Sequence, residues 1–219
     1  MQSEKVKMSG SRTRFYFVLA TLVVQVLAIG WLIVRYERVV QCGTEVRFKC
    51  KAYDPYDPFR GRYLNMDVSE TVDQLSPALA TNSAPWRNIP DVFVRVEPTT
   101  NGLWRVAEAS YEKTAEGVWL KPEKARFRHR LSWNDKRKDE SYNDFDARRE
   151  AAGCVLEVSF PHQLYVSEKL APKAEELLNK KMADAVAVYR VLNGDVVLTD
   201  IEIAGKSIQR EVRESLEHK

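Results

Sequence analysis

The chain has 219 residues, of which 44% are hydrophobic and 30% charged, enough for one proper core and too few for two. Its net charge of +3, with basic and acidic residues interspersed, excludes the clustered cationic surface that a nucleic-acid partner requires. Three cysteines are too few for a disulfide scaffold and badly spaced for zinc.

The first element in chain order is a membrane segment. After a basic tail at 1–14 (Lys5, Lys7, Arg12, Arg14), the twenty residues Phe15–Val34 carry no charge, and only Thr21 and Gln25 among them are clearly polar. Twenty helical residues rise about 30 Å, the thickness of a bilayer's hydrocarbon core. Arg14 and Arg35 bracket the run, and Tyr16, Trp31 and Tyr36 stand near its ends, where amphipathic rings prefer the interface. The expectation is a transmembrane helix over 15–36. Two readings compete with it. A buried core helix is rarely apolar on every face, and a cleaved signal peptide has a shorter apolar region and a better cleavage site than Ala28-Ile29-Gly30. Basic residues on both sides nearly balance the charge rule for orientation, and the short basic tail favours a cytoplasmic N-terminus. Gln25 has the chemistry to hydrogen-bond a partner helix, or to be a single tolerated amide.

A strand-rich soluble domain is expected over 42–208. Glu45–Lys51 alternates, with Val46, Phe48 and Cys50 on one face, and reads as a half-buried strand. The prolines and aspartates of Asp54-Pro55-Tyr56-Asp57-Pro58 build turns, and Tyr63–Val68 is the next strand. Residues Glu70–Pro90 read as a loop. Asp91–Glu97 and Leu103–Ala109 flank the hairpin signal Asn101-Gly102, and Gly117–Leu120 and Ala125–Leu131 are further short strands. Trp133–Glu150 has charges of both signs without apolar periodicity and is expected to be a solvated loop with at most a short helical turn. Cys154–Phe160 reads as a central strand, followed by the short strand Leu164–Val166. A helix follows, capped by Ser167 or beginning near Ala171 because of Pro172, and running to about Asn179. Ala185–Leu192, Asn193-Gly194 and Val196–Ile203 make the clearest hairpin, and the charged tail 209–219 is expected to be flexible or weakly helical. The fold class is therefore mostly β (α+β): an antiparallel strand-rich domain with one short packing helix behind the membrane helix. No βαβ alternation points to a parallel sheet.

Few residues offer chemistry. The three histidines His129, His162 and His218 lack a second ligand at helical spacing, and no CxxC occurs, so neither a metal nor another cofactor is expected. His162, with Tyr165 and Glu168 nearby in sequence, is the best acid/base candidate, set against an ordinary hydrogen-bonded loop histidine. Ser110-Tyr111-Glu112-Lys113 has the SxxK spacing, which works only on a helix, whereas here it follows a strand. Cys42 and Cys50 could pair across a hairpin near Gly43 or Thr44, Cys50 could pair with Cys154, or all three are free thiols.

The run Asp54-Pro55-Tyr56-Asp57-Pro58-Phe59-Arg60-Gly61-Arg62-Tyr63-Leu64-Asn65-Met66, close behind the apolar helix, resembles the signature of the GDYXXLXY family of bacterial membrane-anchored proteins. Tyr165-Val166-Ser167-Glu168, Ala185–Tyr189, Gly194-Asp195 and Ile203-Ala204-Gly205 resemble its C-terminal part. Together the resemblance covers about Phe15 to Lys206. It departs where Arg62 replaces the acid of the signature, Met66 a leucine and Val68 the final tyrosine, so no catalytic role of that acid carries over. The resemblance implies the bacterial cytoplasmic membrane, with the soluble domain on the periplasmic side, and implies no reaction.

Asp54, Pro55, Asp57, Pro58, Arg60, Gly61 and Tyr63 read first as a structural corner, in which Asp-Pro pairs extend and then turn the chain. Tyr53, Tyr56, Phe59 and Tyr63 would pack that corner on the core. The rival reading is an interaction site of Tyr56, Phe59, Arg62, Tyr165 and Glu168. The function expected is a membrane-anchored accessory or interaction module, held in the lipid bilayer beside another membrane protein. Its alternatives are a membrane-anchored hydrolase of signal-peptidase type and a secreted periplasmic protein.

Overall fold

The computed structural model describes residues 7–52, 63–81, 83–167, 170–180 and 185–217. Its first element is the 36-residue helix α1 (Lys7–Cys42), about 54 Å long at 1.5 Å per residue. Arg14–Cys42 within it is the one stretch among the described residues long and apolar enough to cross a membrane. Its most apolar window has a mean hydropathy of 2.6, and the rest of the chain covers none of it. Inside the run the Thr21 hydroxyl donates to the Phe17 carbonyl at 2.9 Å, so its polarity is satisfied within the helix. The helix extends beyond the expected end at 36, and the Gln41 amide donates to Glu37 one turn back at 2.7 Å.

Gly43 then turns helix into strand with no linker. Its N–H donates to Val39 O at 2.9 Å, and a Cβ at this position would press into that carbonyl and stand 3.0 Å from Val191 N. Only glycine fits this approach without a shift of backbone.

Among the described residues thirteen strands follow, four of them of two or three residues: β1 (Thr44–Lys49), β2 (Lys51–Ala52), β3 (Tyr63–Asp67), β4 (Ser69–Val72), β5 (Phe93–Pro98), β6 (Trp104–Ser110), β7 (Val118–Leu120), β8 (Lys124–His129), β9 (Cys154–Ser159), β10 (Gln163–Tyr165), β11 (Ala185–Leu192), β12 (Asp195–Ile203) and β13 (Lys206–Ser207). Every strand pair is antiparallel, in the orders β1-β11-β12-β13, β10-β3-β2, β4-β9-β8 and β6-β5-β7. The second and third of these are two halves of one bent ladder. Tyr63 faces Tyr165, Asn65 faces Gln163, Ser69 faces Ser159 and Val72 faces Leu156 without any slip in register. Between the halves, Met66 N donates to His162 O (3.0 Å) and Phe160 N to Val68 O (3.1 Å). Pro161, which has no N–H, sits at the break.

Short links join the ladders. Cys50 N bonds Ala185 O before the chain crosses to β3, Ala109 N bonds Gln74 O, and Lys121 N bonds Gly194 O. One continuous core results, in which Val46, Phe48, Leu64, Val94, Phe127, Leu156, Tyr189 and Ile201 are all fully buried. At its centre the Phe48 and Phe160 rings stack 4.6 Å apart, and Tyr189 packs edge-on to Phe48 while its hydroxyl donates to Pro161 O at 2.8 Å.

The expected strands and both hairpin turns are present. Asn193 and Gly194 adopt φ of 54° and 96°, the paired positive values that a two-residue turn demands. The packing helix is α4 (residues Ala171–Lys180), which begins next to Pro172 and buries Ala171 and Ala174.

Three expectations are corrected. Glu70–Pro90 contains β4 and the short helix α2 (Pro77–Ala80), because the ladder to β9 recruits Ser69–Val72 and because Leu79 is fully buried. Trp133–Glu150 is a single 3₁₀ turn (Trp133–Asp135) followed by the ten-residue helix α3 (Tyr142–Ala151). Ser141 caps it by accepting from Asn143 N, and Phe145 plugs it into the fold. The Arg148 guanidinium ties α3 to the preceding turn by holding Glu140, whose carboxyl falls to about 2. The charged tail forms α5 (Ile208–Glu217), with Ile208 and Val212 fully buried. The domain thus has several packing helices in place of one.

Candidate functional site

The signature run lies between β2 and β3. Tyr53, Asp54, Pro55, Tyr56, Asp57, Pro58, Phe59, Arg60, Gly61 and Arg62 are outside the described residues, as is Glu168. What is described is how the run is held: Ala52 pairs with Met66, so its two ends are clasped as a hairpin. β3 continues from Tyr63, directly opposite Tyr165 in the ladder. Tyr165 is 72% exposed, with its hydroxyl toward the Gln163 amide oxygen at 3.5 Å. The two family segments read from the sequence, around Tyr63 and Tyr165, are therefore neighbours in one sheet.

A polar cleft of about 570 Å³ opens further along the same ladder, lined by Asp67, Ser69, Glu123, Arg126, Ser159 and His162 among others. The His162 Nδ1 and a Glu123 carboxylate oxygen are 3.2 Å apart. Ser69 donates to Asp67 at 2.6 Å and stands 3.2 Å from Ser159 Oγ. Glu157 receives Arg126 at 2.9 Å. These polar groups thus partner one another, and no serine among them bonds a histidine, as nucleophilic catalysis would need.

The SxxK spacing makes no dyad. Ser110 Oγ accepts from Glu112 N, while Lys113 donates to Asn193 O at 2.8 Å and lies over the Phe93 ring. Among the described residues no three His, Cys, Asp or Glu side chains gather to hold a metal ion. All three thiols are free. A Cys42–Cys50 bridge is ruled out by the straight run of β1 between them, since Gly43 makes a corner and no hairpin. Burial pushes the Cys50 thiol up to about 12, and its Sγ lies 3.6 Å from Met66 Sδ, so it packs as an unreactive apolar group.

A second candidate, missed by sequence reasoning, is the seam between α1 and the domain. Arg35 donates twice to the Asp195 carboxylate, at 2.8 and 2.7 Å, and Val39 is buried against the β11–β12 hairpin. Arg190 donates to Gly43 O at 3.2 Å and to Glu45 at 2.9 Å. A groove of about 250 Å³ runs along this seam between Trp31, Val34, Arg35 and Arg38 of the helix and Leu192, Asn193 and Asp195 of the hairpin. Arg35 and Asp195 are 160 positions apart, so no local pattern could have signalled the pair.

No curated protein and no solved structure matches this chain. A family model described as "GDYXXLXY protein" does, over residues 25–201, from the second half of α1 into the closing hairpin. The match takes in the second half of α1, the signature run and the strand that faces its end, and on that extent the chain belongs to the GDYXXLXY family.

Proposed function

We propose that this protein is a single-pass anchored accessory module of the bacterial cytoplasmic membrane, its N-terminus inside and its strand-rich domain on the periplasmic face, working beside another membrane protein. The observation that carries the anchor is the contrast within one chain: a domain that buries its apolar side chains, attached to a helix whose apolar window is wholly uncovered. Exposing twenty apolar residues to water is unfavourable by far more than a domain's net stability, and lipid removes that cost. The partner clause rests on Gln25. Thr21 satisfies its own hydroxyl, which leaves the Gln25 amide exposed near mid-span, where a second helix would supply its hydrogen bonds.

Crosslinking in intact membranes, with the captured protein identified by mass, tests the reading. One integral membrane protein is expected to crosslink to α1, and Gln25→Leu is expected to reduce that adduct while the chain stays in the membrane. An anchored chain that yields no protein adduct, or the same adduct with Gln25→Leu, overturns the partner clause. Protease added outside spheroplasts should digest the domain, and protection there overturns the orientation.

A further inference from the structure

We infer that the groove between α1 and the β11–β12 hairpin is a binding site for one anionic phospholipid. The inference deepens the anchor reading and rests on it. Trp31, Val34, Arg35, Arg38 and Val39 recur at the spacing of a single helix face, and that face turns toward the hairpin. The chemistry along this face changes in the order that a phospholipid does. Trp31 and Val34 belong to the uncharged run and offer an acyl chain apolar contact. Arg35, the first charge beyond it, and Arg38 one turn higher sit at headgroup level, about 6 Å and 10 Å further along the axis than Trp31.

The two arginines have different tasks. Arg35 is held by Asp195 in a two-point pair, which fixes the hairpin tip against the helix and neutralises the one carboxylate lining the groove. The Arg38 side chain is exposed and makes no ion pair or hydrogen bond among the described residues, so its guanidinium remains for a phosphate. Asn193, at the hairpin tip, adds an amide to the same wall. With Gly43 making a rigid corner, the domain stands on no flexible stalk, and its hairpin tip is held at the level where headgroups begin.

The full-length chain, purified in dodecyl maltoside and titrated with phosphatidylglycerol, would be examined by native mass spectrometry. The wild type is expected to retain one phosphatidylglycerol tightly. Arg38→Gln should retain it roughly tenfold more weakly, the effect of one charge-assisted contact. Arg105→Gln, which removes an exposed charge on β6, should match the wild type. Equal retention by wild type and Arg38→Gln overturns the site. Displacement of the lipid by inorganic phosphate at equal concentration also overturns it, because the acyl contacts would then contribute nothing. Carbonate extraction of the same variants separates the two readings: a pelleting chain without lipid selectivity defeats the groove alone, and a chain that does not pellet defeats the anchor as well.

Discussion

Helices α1 and α5 stand at opposite ends of the chain and invert each other's relation between composition and burial. α1 carries the uncharged twenty-residue run, yet Leu27 and Trp31 within it are 66% and 71% exposed. α5 is dominated by charge, with Arg210, Arg213 and Glu214 exposed, yet Ile208 and Val212 are fully buried. Apolar content therefore does not decide what is inside a protein. What decides is whether the apolar residues are confined to one face that a neighbour can cover. α5 offers such a face to the core, whereas the apolar run of α1 is confined to no face, and on the anchor reading lipid covers it.

The largest expected effect would break the comparison at α1. Leu27→Arg, near the middle of the uncharged run, should cost about 3–4 kcal/mol of membrane insertion and shift the chain out of the carbonate-resistant fraction. The thermal unfolding of the domain should not change, since nothing in the domain touches Leu27. At the other end, Ile208→Ala should cost about 3 kcal/mol in urea unfolding of the domain and leave membrane retention intact. If either substitution moved the other's readout, the two helices would not be independent.

The seam between the two regions gives smaller effects. Gly43→Ala forces a Cβ into backbone and should destabilise the junction by about 2 kcal/mol, seen as faster hydrogen exchange at Val39, Thr44 and Val191. Asp195→Asn removes a pair that is half in solvent and should change the unfolding midpoint least of all these variants. Its effect should shrink further at high salt.

These differences also explain how much could be read in advance. α1 was legible because twenty residues without a charge have few physical outcomes. The last hairpin was legible because Asn193-Gly194 supplies the positive φ values that its turn needs. α3 and α5 were hidden because each depends on one or two buried apolar side chains, Phe145 in one and Ile208 with Val212 in the other, amid charges that read as solvated chain. β4 was hidden for a related reason: Val72 is its only buried apolar residue, and its pairing with β9 comes from the far side of the sequence. At the candidate sites, the strand before the signature run was evident from the alternation of Glu45–Lys51, and Tyr63–Val68 was read as the strand after it. The bent ladder that sets Tyr63 opposite Tyr165, and the Arg35–Asp195 clasp, are long-range outcomes that no window of local sequence contains.

The central claim is that the uncharged helix is retained and resides in lipid. The most direct measurement is the intact mass of the chain recovered from carbonate-washed membranes. The anchor reading predicts that the pellet holds the protein with residues 15–36 still attached. A product lacking about the first thirty residues, found in the soluble fraction, would contradict it and make the segment a removed leader.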